Sequence, residues 1–189
     1  MKKVAVVILN WNGVKLLKKF LPSVIETIPN YAEIIIADND STDSSINFLK
    51  SEYPDLKIVQ NKSNGGFAKG YNDALKSVNH EYLVLLNSDI ETTPNWIEPV
   101  IEFMDTNPKS GAAMPKIRQY KNKKYFEYAG AGGGYIDKWG FPFCRGRIFN
   151  EVEEDHGQYD TNQSIFWATG ACMSGIAEIL LDQGYIVQG

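Results

Sequence analysis

Val4-Ala5-Val6-Val7-Ile8-Leu9-Asn10-Trp11-Asn12-Gly13 opens with six apolar residues, four of them β-branched, and then turns abruptly polar. A short continuous apolar run predicts a strand covered on both faces. Working outward, Val14, Leu17, Leu21, Val24, Ile25 and Ile28 recur at helical spacing. Ile34-Ile35-Ile36-Ala37 reads as a second buried strand and Leu56-Lys57-Ile58-Val59 as a weaker third. Phe67, Tyr71, Ala74, Leu75 and Val78 mark another strong helix, and Tyr82-Leu83-Val84-Leu85-Leu86 another buried strand. Thr93 is expected to cap a further helix with Pro94 at its first position and Ile97, Val100, Ile101 and Met104 along its apolar stripe. Strands alternating with helices imply an α/β fold, a mostly parallel central sheet flanked by helices. After Pro115 the pattern changes. Tyr125 to Arg147 is rich in glycine and aromatics, around Gly130-Ala131-Gly132-Gly133-Gly134, and predicts a small β-ribbon beside the sheet rather than a separate domain.

Composition narrows the function classes. At 189 residues the chain can bury one full core but not two ordinary domains. A net charge of -4 argues against a nucleic-acid surface, which needs clustered Lys and Arg. The basic run Lys121-Asn122-Lys123-Lys124 is short and reads as a solvated loop. Two cysteines (Cys144, Cys172) and two histidines (His80, His156) make neither a disulfide framework nor a zinc site. The first apolar run is too short for a signal peptide, and no stretch approaches the ~20 apolar residues that span a bilayer. The expectation is a soluble, cytoplasmic chain, at most peripheral to the inner face of a membrane.

Open α/β sheets bind ligands beyond the carboxyl ends of their strands. The polar clusters fall at those ends: Asn10-Trp11-Asn12, Asp38-Asn39-Asp40 and Asn87-Ser88-Asp89. Neither common nucleotide fingerprint is present. No G-x-G-x-x-G follows the first strand, and Gly65 to Gly70 has P-loop spacing but Tyr71-Asn72 where Lys-Ser/Thr belongs. An ionised Asp38 could accept a ring N–H of uracil, thymine or guanine, which cytosine and adenine do not offer there. Alternatively it caps a helix beginning near Ser41-Thr42, with Asp43 adding charge to the first turn. Asn64-Gly65-Gly66 enters a helix through two glycines, which permits close approach of an anionic ligand. Asp89, after the most hydrophobic strand, suits a hard divalent cation, Mg2+ or Mn2+, held against a diphosphate. The other reading of Asp89 is a turn residue before the helix expected at Thr93.

Four ordered segments carry a resemblance: Val7-Ile8-Leu9-Asn10-Trp11-Asn12-Gly13, Ala37-Asp38-Asn39-Asp40-Ser41-Thr42-Asp43, Asn64 to Asn72, and Leu85-Leu86-Asn87-Ser88-Asp89. Together they resemble the signatures of family 2 glycosyltransferases, most closely rhamnosyltransferase-like members of polysaccharide assembly. The resemblance implies the GT-A (Rossmann-like) fold over residues 1–173, divided into a nucleotide-binding half (1–117) and an acceptor-side half (118–173). It implies an inverting, metal-dependent transfer of sugar from a UDP-, dTDP- or GDP-sugar to a hydroxyl of a glycan or lipid-linked glycan. Base recognition would fall to Asp38, with Asn10 and Asn12 near the nucleoside. Asn64, Gly66 and Asn72 would lie under the nucleotide and sugar, with Asn87 and Asp89 at the diphosphate and Asp89 on the metal. Trp167, Thr169, Gly170 and Ala171 resemble the acceptor-side segment. Asp40 stands where the family often has a small residue or Gly. Residues 174–189 resemble neither the helix nor the acidic loop expected next, so they are expected to form an atypical, truncated tail. No catalytic base is assigned; Glu178, Asp182 and Glu153-Glu154-Asp155 are the acids left to consider. Impaired transfer and self-association through an uncovered face follow as expectations. A non-catalytic nucleotide-sugar-binding module and a sugar nucleotidyltransferase are the alternatives.

Overall fold

The computed structural model describes residues 2–128 and 131–182. The first strand, β1 (Val4–Asn10), leads into α1 (Val14–Thr27), and β2 (Ala32–Asp38) into α2 (Ser45–Glu52). Next come β3 (Lys57–Gln60), α3 (Gly66–Leu75), β4 (Tyr82–Asn87) and α4 (Glu98–Thr106). After β5 (Ala112–Ala113) the chain leaves the sheet and forms β6 (Gly134–Ile136), β7 (Pro142–Cys144), β8 (Arg147–Ile148) and β9 (Glu151–Val152). It returns as β10 (Cys172–Ile176), followed by α5 (Ala177–Asp182).

The main sheet has the order β3-β2-β1-β4-β10-β5. Its first four strands are parallel, and β10 runs antiparallel to both neighbours. Alternation along each central strand splits the core into two layers. Val4, Val6, Ile8, Ile34, Ile36, Val84 and Leu86 face α1, α2 and α4 through Leu17, Leu21, Leu49 and Met104. Ala5, Val7, Ile35, Ala37, Leu83 and Leu85 face α3 through Tyr71, Ala74 and Leu75. Both faces are covered, which is why these strands read as unbroken apolar runs. Tyr71 carries a hydroxyl into the second layer, where it donates to the Leu86 carbonyl at 3.1 Å. Burial pushes its pKa well above the ordinary tyrosine value, so it remains a neutral donor.

Two sequence expectations are corrected and one is met. The fourth helix starts at Glu98, not after Thr93. Asn95 adopts φ 62°, a left-handed conformation that no right-handed helical turn accommodates, and Pro99 takes a first-turn position where a missing N–H costs nothing. The small ribbon expected beside the sheet is present as a four-stranded antiparallel sheet β6-β7-β8-β9 over residues 134–152, with bridges at Tyr125 and Phe126. Finally, the atypical tail expected from residue 174 begins as core structure: Ser174, Gly175 and Ile176 pair with Val84, Leu83 and Tyr82, and a helix follows. Residues 183–189 of that stretch lie outside the described residues.

Candidate functional site

The register brings the polar clusters into one row. Asn10 is opposite Asp38 on the β1–β2 pair, Leu9 opposite Asn87 on β1–β4, and Cys172 opposite Leu86 on β4–β10. The Asn87 amide N–H donates to the Ala171 carbonyl at 2.9 Å. Residues as far apart in sequence as Leu9 and Cys172 thus share one edge, at the carboxyl ends of the parallel strands.

At the β1–β2 end the side chains serve one another. Asn10 is closed to solvent, and its Nδ2 donates to Asp38 Oδ1 at 3.0 Å and to Ser41 Oγ at 3.1 Å. Asp38 is equally buried, and its Oδ2 accepts the Ser41 N–H at 3.0 Å. A carboxylate shut away with both oxygens engaged ties the two loops together, and a base edge could meet it only if those loops parted. The capping alternative is closer to this arrangement, although α2 starts only at Ser45, beyond the bond from Ser41. Asn12 holds φ 50°, and its Oδ1 accepts from the Thr42 N–H (2.7 Å) and the Asp43 N–H (3.1 Å). It therefore fastens one loop to the other. Asp43 completes the join, accepting from the Val14 N–H at 3.1 Å and the Ser45 N–H at 2.9 Å. Burial would raise its pKa, but these hydrogen bonds outweigh burial and hold it below the usual carboxylate value. Trp11, Asn12, Asp40 and Thr42 are exposed at this end, with Asp40 at φ 64°.

The glycine entry to α3 is organised by a different amide. Asn39 donates to Asn64 Oδ1 at 2.7 Å and to the Gly66 carbonyl at 3.1 Å, while Asn64 Oδ1 also accepts the Gly66 N–H at 2.9 Å. Gly66 has φ 80°, which glycine adopts without steric cost. Asn72 lies further along α3 with its Oδ1 buried and without a hydrogen-bond partner. The acceptor-side segment meets this helix: a Cβ on Gly170 would stand 3.0 Å from the Phe67 ring. Phe67, which helical spacing marks as core, is 44% exposed and packs edge-on against Tyr71. Trp167 covers Gly134, where a Cβ would approach its ring to 2.1 Å, and donates from Nε1 to the Tyr135 carbonyl at 3.0 Å. Thr169 is buried, with its hydroxyl oxygen accepting the Ala171 N–H at 3.3 Å.

Two cavities adjoin the β4 end, of about 900 and 820 Å3, with Trp96, Pro115 and Lys116 shared between their walls. Asn87, Asp89 and Ala171 line the larger, and Trp167 the smaller. Arg118 and Glu127 also line the larger cavity. Sequence reasoning missed them because they lie in irregular chain without a strand-end signal. Asp89 is exposed and has no hydrogen-bond or ion-pair partner among the described residues, whereas nearby Glu91 is paired with Lys123. No group of three His, Cys, Asp or Glu able to hold a metal occurs among the described residues. One unpartnered carboxylate fits a hard cation that draws its remaining oxygens from a diphosphate and water, rather than a metal caged by protein alone. Lys116 is held by Asp155 at 2.9 Å and by Asp160. Burial would lower its pKa, but these bonds outweigh burial and raise it, so it stays charged.

Of the acids considered from sequence for the base, none lines the larger cavity, whereas Glu127 and Glu91 do. β10 runs from the site toward the opposite end of the sheet, where the Ala177 N–H donates to the Glu81 carbonyl, so Glu178 is on the wrong side for a base. Glu153 is bonded to the Tyr159 hydroxyl and Asp155 to Lys116. Both cysteines are free thiols, and burial pushes Cys172 up to about 12, so it is no nucleophile near neutral pH. No helix among the described residues is long and apolar enough to cross a membrane.

The model of the family described as Glycosyl transferase family 2 matches residues 5–177. The N-acetylglucosaminyl-diphospho-decaprenol L-rhamnosyltransferase of Mycobacterium tuberculosis is 22% identical over 120 residues, 58% of this chain and 39% of that protein. Among solved structures, a mannosyltransferase from Pyrobaculum calidifontis in complex with GDP-Man and Mn2+ aligns with TM-score 0.54 and 20% identity, over 64% of this chain and 36% of its own. S. aureus TarS 1-349 in complex with UDP-GlcNAc aligns with TM-score 0.55 and 24% identity, over 67% and 38%. These likenesses show the fold, the GT-A arrangement expected from sequence. The chain spans about two-fifths of the length of each of these proteins.

Proposed function

This chain belongs to glycosyl transferase family 2, and from that premise we propose that it holds a nucleoside-diphosphate sugar along the carboxyl edge of its sheet. The sugar passes to a hydroxyl of a glycan or lipid-linked glycan. The observation that carries this reading is Asp89, an exposed carboxylate without a partner among the described residues at the end of β4, in the wall of a cavity of about 900 Å3. Asp89, with Asn87 beside it, would hold Mg2+ or Mn2+ against the diphosphate. That cation would supply charge neutralisation on the leaving group. Complexes of the similar structures with GDP-Man and UDP-GlcNAc support a GDP- or UDP-sugar as the donor, and dTDP-sugar is the further candidate.

The chain's own residues then divide the work. Asn10, Asn12, Asp38 and Asp43 fix the two loops that border the nucleoside, and Asn64 with Gly66 shapes the entry to α3. Trp167, Thr169, Gly170 and Ala171 form the acceptor side. In an inverting displacement the acceptor oxygen bonds to the anomeric carbon as its bond to the diphosphate breaks, and the hydroxyl proton leaves to a base not assigned among the described residues.

The test is a thermal-shift panel of UDP, dTDP, GDP, CDP and ADP, each with and without Mn2+. A ligand at a hundred times its Kd stabilises by about 2.7 kcal/mol, readily seen at this size. Turnover of the matching labelled donor should release a nucleoside diphosphate. Absence of any nucleotide-dependent shift would sink the reading, and release of pyrophosphate would replace transfer with nucleotidyl chemistry.

A further inference from the structure

The small sheet carries an apolar end that the donor site does not use. β7 is antiparallel to β6 and to β8, and β8 to β9. The β6–β7 turn (residues 137–141) and the β8–β9 turn (149–150) therefore project from the same end. Trp139 (75% exposed) and Phe141 (69%) stand on the first turn, with Ile148 (56%) and Phe149 (89%) at the second. Bare apolar side chains of this size at paired tips are not random surface scatter.

Both turns are built to hold these side chains outward. Asp137 Oδ1 accepts the Trp139 N–H at 2.8 Å and the Phe141 N–H at 2.9 Å, which closes the first turn around Gly140 at φ 88°. Phe149 holds φ 52°, a left-handed conformation that costs an aromatic residue energy, and its carbonyl accepts from Arg147 Nε at 2.8 Å. Each aromatic tip also carries a cation: Lys138 Nζ lies 4.9 Å from the Trp139 ring centroid, and Arg147 is bonded beneath Phe149. The acids nearby are Asp137, occupied by its two backbone donors, and Glu151 at the start of β9.

We propose that these two turns dock on a lipid bilayer, with Trp139, Phe141, Ile148 and Phe149 entering the interfacial zone and Lys138 and Arg147 meeting headgroup phosphates. Aromatic rings favour that zone, and flanking cations complement anionic lipids. By formal charge Lys138 and Arg147 offset Asp137 and Glu151, so the four apolar side chains carry the attachment and the two cations face the phosphates. Neither large cavity includes Trp139, Phe141, Ile148 or Phe149, and Asp137 is occupied by its two backbone donors, which leaves Glu151 as the acid near these side chains with a carboxylate to offer sugar hydroxyls. A glycan therefore has less to hold than a bilayer does. The inference deepens the lipid-linked acceptor reading, but its own evidence is the geometry of the turns.

The experiment is co-sedimentation of the full chain, without nucleotide, with vesicles of phosphatidylcholine alone or mixed with phosphatidylglycerol. Binding is expected to both and stronger to the anionic mixture, weakened there by salt. The Trp139→Ser/Phe149→Ser double variant should lose about tenfold or more of that partitioning, with an unchanged melting curve and an unchanged nucleotide shift. Lys138→Glu should remove part of the anionic preference only. No binding to either vesicle, or equal binding by the double variant, overturns the proposal. So does a dimer in sedimentation velocity that the double variant dissolves while vesicles bind neither form, which would make a second copy the occupant. Because nucleotide is absent, failure of the donor reading leaves this result standing.

Discussion

Asn10 and Asp38 face each other across the ends of β1 and β2, both closed to solvent, with the Asn10 amide donating to the Asp38 carboxylate at 3.0 Å. Asp38→Ala strands the Asn10 amide and the Ser41 N–H in a buried setting. Losing a charged acceptor there costs on the order of 2 kcal/mol, or roughly a 4–8 °C lower Tm in a chain of this length. The variant should melt early by circular dichroism even without ligand. Melting like the wild type while losing only nucleotide affinity would make Asp38 a direct ligand of the base instead.

Asp89 predicts the opposite pattern. Its exposed carboxylate has no partner among the described residues, so Asp89→Ala should leave Tm within about 2 °C, as surface changes usually do. What should disappear is the Mn2+-dependent part of the nucleotide shift. Calorimetric titration of the preferred nucleoside diphosphate, with and without Mn2+, checks it: the two affinities should converge in the variant. Persistent Mn2+ dependence would place the cation elsewhere.

Much of this architecture was readable from residue order, for a physical reason. Strands buried on both faces need apolar residues at every position, so β1, β2 and β4 announced themselves as runs, and their polar ends marked one edge of the sheet. Partnerships across loops were not readable. Nothing in Asp38 and its neighbours reveals that Asn10, 28 positions earlier, fills the space beside it. The start of α4 depended on the left-handed backbone of Asn95, a turn-favouring residue type that the Thr93-Pro94 helix-start signal outweighed. Strands of two or three residues, as in β6 to β9, are too short to show a period, so composition marked the ribbon but not its four separate strands.

Gly134 and Trp167 give a third prediction, about how the acceptor-side segment is seated. The indole lies where a Gly134 side chain would be, with no room for a single methyl group. Gly134→Ala must push Trp167 outward and stretch its bond to the Tyr135 carbonyl. Overpacking of this kind costs about 1–3 kcal/mol. Tryptophan emission should shift to the red as the ring gains water, with a lower Tm. An unchanged spectrum and Tm would show that the segment is not held by this contact.

Acid should loosen the loop join through Asp43. In the folded chain its carboxyl lies below the ordinary value of 3.8, because hydrogen bonds from Ser45 and Val14 outweigh the raising effect of burial. A carboxyl with a lower pKa folded than unfolded contributes stability that is fully present above about 3.8, the unfolded value, and is lost as pH falls through the folded one. Above that window Asp43→Asn should melt earlier than wild type, since an amide replaces one of two charged acceptors. As pH drops below about 4, wild type should lose its advantage and the two melting temperatures should converge. Asp105 and Asp155 are also shifted downward and contribute to the acid slope of both proteins. The difference between the two curves isolates Asp43, because those other carboxylates are common to both. A difference that stays constant from neutral pH to pH ~2 would mean that this carboxyl does not ionise differently on folding, and that the Asp43→Asn substitution is destabilising through geometry alone.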